Sequence, residues 1–302
     1  MKLVTTTCDL AAYFSDKSIA APVKAMKETG FRHLDLSMYS VLYEGSPWLT
    51  EDGWKREVLE CKAIAESCGF DFVQAHSPDP RSADENSVIA IRNSIKACGM
   101  LGIPHTVVHA VVKKDATPEE FFHNNVNFYK QFEEDLEQWG VDLLIENSST
   151  AWNPFYFLRT GAEMRDFVDR AGMKRLHICW DVGHGNVQGC NQYDDIIAMG
   201  DELHALHIHD NFGDKDSHIQ PLSGTVNYDL FIKGLIDSGY SGDFTFESSE
   251  TLRTYNAWPH YRKAISEDDR LKNPPLHIVQ KQIALLHDLG SWMLGEYNIT
   301  AE

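Results

Sequence analysis

Several classes of protein are excluded by what this 302-residue chain lacks. Its six cysteines, Cys8, Cys61, Cys68, Cys98, Cys179 and Cys190, form no CxxC pair and are not spaced as a disulfide framework. Free thiols in a reducing compartment are therefore expected. No apolar run approaches membrane-spanning length, and the opening MKLVTTTCDLAAYFSD has no apolar core of a signal peptide. A cytoplasmic protein with no membrane partner is expected. Positive charge is scarce: 27 Lys and Arg stand against 45 Asp and Glu, for a net charge of −18. No Lys/Arg cluster is visible, so the basic footprint of a nucleic-acid binder is missing. A glycine-rich phosphate turn after the first expected strand is missing too, since CDLAAYFSD stands there. That disfavours a doubly wound nucleotide-binding sheet.

What is present is a regular alternation of strand and helix patterns. Apolar or alternating runs predict strands over 2–8, 31–37, 70–76, 104–109, 141–147, 175–181, 202–209 and 243–247. Helical spacing predicts helices over 16–28, 51–68, 83–101, 117–139, 161–171, 193–199, 228–238 and 276–293. Thr117-Pro118-Glu119-Glu120 is a capping-box start with proline at the first helical position. Eight βα units in about 300 residues match a (β/α)8 TIM barrel with a parallel eight-stranded barrel. A single domain over 1–302 is expected, with an insert at 251–273 before the last helix.

In such a barrel the active site lies at the C-terminal strand ends. Here those ends are occupied by metal-ligand residue types. They are His76, His109, Glu146-Asn147, Asp181 with His184 behind it, His207 and His209, and Glu247. Asp216 and His218 follow in the loop after the seventh strand. One such histidine is ordinary; six successive strands ending this way point to divalent metal. Mixed imidazole and carboxylate donors suit Zn, Mn, Fe or Co, with Mg also open, rather than Ca. His209 is expected to point away from the loop ligands, because H-x-x-D pairs His207 with Asp210. Trp48, Trp152, Trp180 and Phe212 are expected to wall the substrate. In the insert, Arg253, Arg262 and Lys263 read either as an anion-binding group or as solvated surface.

The pieces His76-Ser-Pro, Val107-Val108-His109, Leu144-Ile145-Glu146-Asn147, Trp180-Asp181-Val182-Gly183-His184, His207-Ile-His-Asp210, Asp216-Ser-His218 and Phe246-Glu247-Ser248 form a fairly specific set. With them the chain resembles the xylose isomerase-like TIM barrel superfamily, in the branch of sugar phosphate isomerases/epimerases and endonuclease IV (AP endonuclease family 2). The resemblance implies a core metal site of Glu146, Asp181, His207 and Glu247, with the two glutamates moving the proton. It implies that His184 is a substrate-side or second-metal residue. His76, His109, Asp216 and His218 match positions that complete a three-metal cluster. Two departures weigh against DNA repair and against a free-ketose epimerase. Ser148-Ser149-Thr150-Ala151-Trp152 replaces a glycine-rich turn, and Gly213-Asp214 replaces a substrate arginine.

The expected function is a metal-dependent sugar or sugar-phosphate isomerase/epimerase working through an enediolate, with one ion and a small carbohydrate substrate. The alternative is a multinuclear hydrolase of a phosphoester or other small molecule, with up to three ions. A non-catalytic binding barrel is the third reading. Nucleic acid is not an expected partner, and a homo-oligomer stays open.

Overall fold

The computed structural model describes residues 1–302 except 16, 81–82, 249–250, 253–267, 269 and 272. Most of the insert expected at 251–273, with Arg253, Arg262 and Lys263, lies outside the described residues.

All eight expected strands form: β1 (Leu3–Thr6), β2 (His33–Ser37), β3 (Asp71–His76), β4 (His105–Val108), β5 (Asp142–Glu146), β6 (Leu176–Asp181), β7 (Leu203–His207) and β8 (Phe244–Phe246). They pair in parallel in chain order, and β8 returns to β1. Ile208 bridges Phe246 in parallel and brings the last strands together, so the sheet is a nearly closed TIM barrel. The helices are α1 (Cys8–Ala11), α2 (Ala20–Ala25), α3 (Gly53–Cys68), α4 (Glu85–Leu101), α5 (Pro118–Lys130) and α6 (Glu133–Trp139) in the first half. In the second half they are α7 (Gly161–Ala171), α8 (Val182–Gln188), α9 (Gln192–Met199), α10 (Tyr228–Ser238) and α11 (Leu276–Gly295). No helix among the described residues is long and apolar enough to cross a membrane.

Alternation along the strands divides the core. Leu143, Ile145, Leu176 and Ile178 turn outward into the large apolar layer beneath the helices. Val107, Leu144, Cys179 and Ala205 turn inward and form a small separate apolar plug. One residue pair above that plug the strands carry Glu146, Asp181 and His207; below it they carry His105, Asp142 and His177. Over β4–β7 the barrel is therefore apolar inside only at mid-height, with polar residues at both ends.

Beside the short α1, which forms where no helix is expected, two elements differ from expectation. The helix expected over 117–139 breaks at Gln131–Phe132, where Phe132 turns into the core against Phe128. No glycine or proline marks that break. A helix also forms over Val182–Gln188, where no element is expected. It starts because Asp181 caps it, Oδ1 accepting from the His184 backbone N–H at 2.6 Å.

The loop after β4, which carries His109, is pinned from α5. Fully buried Asn125 accepts from the Val111 N–H at 2.7 Å and donates to the Val111 and Phe121 carbonyls at 3.0 and 2.9 Å. Asn125→Ala leaves both Val111 backbone groups buried without partners. It is expected to lower stability by about 2–3 kcal/mol, read as a lower midpoint in urea unfolding.

Candidate metal centre

Glu146 ends β5 with 1 % of its surface exposed. Four imidazoles surround its carboxylate. Oε2 lies 2.9 Å from His109 Nε2 and 3.4 Å from His76 Nε2; Oε1 lies 3.1 Å from His207 Nδ1 and 3.6 Å from His184 Nδ1. Burial resists ionisation of this carboxyl, but His207 and His109 outweigh it and hold it well below the usual range. The histidines answer in kind. Burial opposes the imidazolium of His207, yet Glu247 and Glu146 carry it well above its ordinary value. At His184 burial is likewise overcome, by Asp181 and Asp216, and the imidazole is pushed up to about 10. The whole mouth is an anionic cavity that favours positive charge.

His207 is held from behind. Its Nε2 lies 3.0 Å from Gln74 Nε2 and 3.4 Å from Asp35 Oδ2, and Gln74 donates to Asp35 at 3.0 Å. Thr245 donates to Gln74 in turn at 3.4 Å. Asp35 and Gln74 are register partners on β2 and β3 and are fully buried. They fix the ring so that Nδ1 faces Glu146 and Glu247, the arrangement by which outer carboxylates orient ligating histidines. The sequence reading missed both. Their signal was a polar residue between apolar neighbours inside a strand, in Leu34-Asp35-Leu36 and Val73-Gln74-Ala75.

At this mouth two four-residue groups have the separations of a coordination shell, beside the triad His76, Glu146 and His207. Glu146, Asp181, His207 and Glu247 offer ligand atoms within 4.8 Å of one another, and so do His184, His209, Asp216 and His218. A tetrahedral ion with bonds of about 2.1 Å requires ligand–ligand edges of about 3.4 Å. Glu146 Oε1 and Glu247 Oε2 stand 3.1 and 3.5 Å from His207 Nδ1. Asp181 Oδ2 in the first group and His209 Nε2 in the second are buried without a hydrogen bond among the described residues, a cost that ligation of a cation in each group removes. The donor set and its spacing fit a divalent metal.

The expected ligands are all brought to this mouth, and one residue set aside returns. His209 faces inward: Nε2 is 3.1 Å from Asp181 Oδ1 and 3.4 Å from Asp216 Oδ1, and its ring stacks on His218 at 3.9 Å. Residues two apart in extended backbone share a face, so His207 and His209 point the same way. Asp210 is the clasp of the loop that follows. Its carboxylate accepts from the backbone N–H groups of Asn211, Gly224 and Val226 at 2.8, 2.9 and 3.1 Å. That closes the loop carrying Asp216 and His218. Gly183 sits where a Cβ would lie 1.9 Å from the His209 ring, which is why the motif here needs glycine.

The tryptophans divide. Trp152, about half exposed, lines the cavity of about 540 Å³ above the ligands. Trp48 and Trp180 do not, which corrects the expected wall. Trp48 is buried with its indole donating to Glu57, and Trp180 is buried with its indole donating to Gln192. Phe212 is also absent from the lining. Their places are taken by Tyr39, which meets the His76 and His109 rings edge-on, and by Tyr43. Because the His209 ring is fully buried and cannot retreat cheaply, Gly183→Ala is expected to displace it. The variant should lose any metal at His184–His209–Asp216–His218 while the Glu146 group keeps its own, as read by metal-edge anomalous diffraction.

Comparison with known proteins gives this geometry a setting. A family model described as a xylose isomerase-like TIM barrel matches residues 5–268. An uncharacterised protein of Sinorhizobium fredii is 26% identical over 82% of this chain and 87% of its own. A probable endonuclease 4 of Methanoculleus marisnigri is 28% identical over 55% of this chain and 67% of its own. Among solved structures, D-psicose 3-epimerase with D-tagatose from Clostridium cellulolyticum H10 superposes with a TM-score of 0.72 at 17% identity, covering 97% of this chain and 99% of the other. The IOLI protein with a bound zinc atom superposes with a TM-score of 0.71 at 14% identity, covering 98% and 99%. With a match spanning nearly the whole barrel, the chain belongs to the xylose isomerase-like TIM barrel family.

Proposed function

We propose that this chain is a metal-dependent sugar or sugar-phosphate isomerase or epimerase that moves a proton at a carbon beside a carbonyl. The observation that carries the reading is the meeting of two carboxylates at one imidazole. Glu146 and Glu247 lie 3.1 and 3.5 Å from His207 Nδ1, at the floor of a cavity of about 540 Å³. The family, and the sugar epimerases that share its fold, support it.

Glu146, Asp181, His207 and Glu247 would hold a divalent cation. Bound there, it supplies Lewis acidity toward a carbonyl and its neighbouring hydroxyl. The chain's own groups do the rest. Glu146 and Glu247 arrive from different strands, so a sugar carbon between them presents opposite faces to two bases. One carboxylate removes the α-proton and the other returns a proton to the far face. Glu146 is ionised because His207 and His109 more than offset its burial, which suits a base. His184 lines the cavity beside Glu146, with Nδ1 at the Asn147 carbonyl at 2.8 Å and Nε2 at Asp216 at 3.1 Å, and would exchange the Asp216 contact for a substrate hydroxyl. Tyr39, Tyr43 and Trp152 wall the sugar. The only Lys or Arg among the described lining residues is Lys17, and it lies over the Tyr43 ring.

A second reading, a multinuclear hydrolase, rests on the group His184–His209–Asp216–His218. An ion there beside one at Glu146 would make a clamp for phosphoester cleavage.

Metal-loaded protein incubated with a panel of ketoses in D2O should place deuterium at the carbon beside the carbonyl. Glu146→Gln and Glu247→Gln should each slow turnover about 10²–10⁴-fold while the fold persists by circular dichroism. No wash-in from any of the panel by the fully loaded wild type would sink the proposal. Anomalous diffraction separates the two readings. One ion in the upper mouth, at the Glu146 group, favours the isomerase; a second at His184–His209–Asp216–His218, with phosphoester cleavage, favours the hydrolase.

A further inference from the structure

The opposite mouth of the barrel carries a separate set of ligand-type side chains. Near the N-terminal ends of β4, β5, β6 and β7 stand His105, Asp142, His177 and His204. His105 and Asp142 are register partners, as are Leu144 and His177. The apolar plug of Val107, Leu144, Cys179 and Ala205 separates this set from the upper one. Asp142, His177 and His204 each offer a ligand atom within 4.8 Å of the other two.

This face of a barrel ordinarily serves stability and is filled accordingly. Three imidazoles and a carboxylate on adjacent strands are an expensive filling. The reaction proposed for the upper mouth uses none of them. Their outer contacts are arranged as a ligand shell needs. His177 Nδ1 lies 2.6 Å from Glu202 Oε2, which orients the ring and leaves Nε2 for another partner. Arg175 donates to Asp142 Oδ1 at 2.8 Å and leaves the second oxygen. The His177 and His204 rings are parallel and 3.8 Å apart, a contact that two imidazolium rings would resist by like-charge repulsion. Burial first, and then the neighbouring imidazole, lowers the values of His204 and of His105, the latter to about 4.

We propose that Asp142, His177 and His204 bind a divalent transition-metal ion of the zinc type at the N-terminal mouth of the barrel, with Glu202 positioning His177. The ion straps β5, β6 and β7 together and stabilises the folded state by mass action. One of the stacked rings turns out of the stack when both ligate. The remaining coordination positions fall to water.

The test uses the full chain and zinc alone. Crystals grown with zinc are measured at the zinc edge. Zinc content after desalting is compared for wild type, His204→Ala and Glu202→Gln. The expected result is an anomalous peak between Asp142, His177 and His204, and one equivalent less zinc in His204→Ala than in wild type. Glu202→Gln should bind that equivalent about 10–100-fold more weakly. Deuterium wash-in at the upper site should be unchanged in both variants. Zinc confined to the upper mouth, or equal zinc content in all three proteins after desalting, overturns the proposal. Should His204→Ala not fold, the wild-type map and Glu202→Gln decide alone.

Discussion

A carboxylate buried at 1 % exposure and ringed by four imidazoles is the constraint on which the upper half of this molecule depends. An ionised group taken out of water costs several kcal/mol unless it is paired and hydrogen-bonded. Glu146 meets that condition only because β3, β4, β6 and β7 deliver their chain ends to one point. The barrel is what makes the delivery possible. Parallel strands end at one mouth: Asp181 and His207 are register partners and Glu146 pairs with Cys179, two residues before Asp181, so no loop has to find its own conformation to bring these three together.

The loops then serve the strands. Asp181 shows how closely the two are joined. It belongs to the ligand group, it caps α8, and its backbone is clamped by Asn147 through bonds of 2.6 and 3.0 Å. The cap turns the chain immediately after the strand and brings His184 back over Glu146. Asp210 does the equivalent for the loop after β7, where three backbone N–H groups converge on one carboxylate. In both places an acidic side chain spends its hydrogen-bonding capacity on main chain. What it secures is the position of a histidine or aspartate several residues away.

Much of this was legible from the residues. The eight strands stood out because strands of a parallel barrel are buried on both faces and read as apolar runs, such as Leu143 to Ile145. The strand ends stood out because polar ligand types there interrupt those runs. Legibility failed where the decisive fact was a face or a distance between strands. His209 was set aside on a motif alignment, although its two-residue spacing from His207 already placed it on the same face. Asp35 and Gln74 act through a ring on β7, and only the barrel's closure brings β2 and β3 opposite it. Trp48 and Trp180 carried no sign of which way they turn; each sits in the core because a buried acceptor, Glu57 or Gln192, satisfies its indole N–H. The break between α5 and α6 follows from where Phe132 packs, which helix propensity does not record.

The two glutamates of the proposed reaction are not equivalent, and the difference bears on how such a site works. Glu146 is locked by four imidazoles, and its backbone carbonyl accepts from the buried Tyr156 hydroxyl at 2.7 Å. Glu247 is 18 % exposed at its side chain; its carboxylate approaches His207 at 3.5 Å and His218 at 3.9 Å, and its backbone carbonyl is hydrogen-bonded to His218 Nδ1 at 3.0 Å. A carboxylate held that firmly keeps its geometry whichever face of a sugar is presented. One held loosely at the cavity wall can exchange its proton with water between turnovers. An epimerase needs both properties, since a base that never meets solvent returns the proton it took and a base that moves freely loses its stereochemistry. The proposed division of labour therefore follows from burial: both carboxylates move a proton, Glu146 from a fixed position beside the reacting carbon and Glu247 from the wall of the cavity.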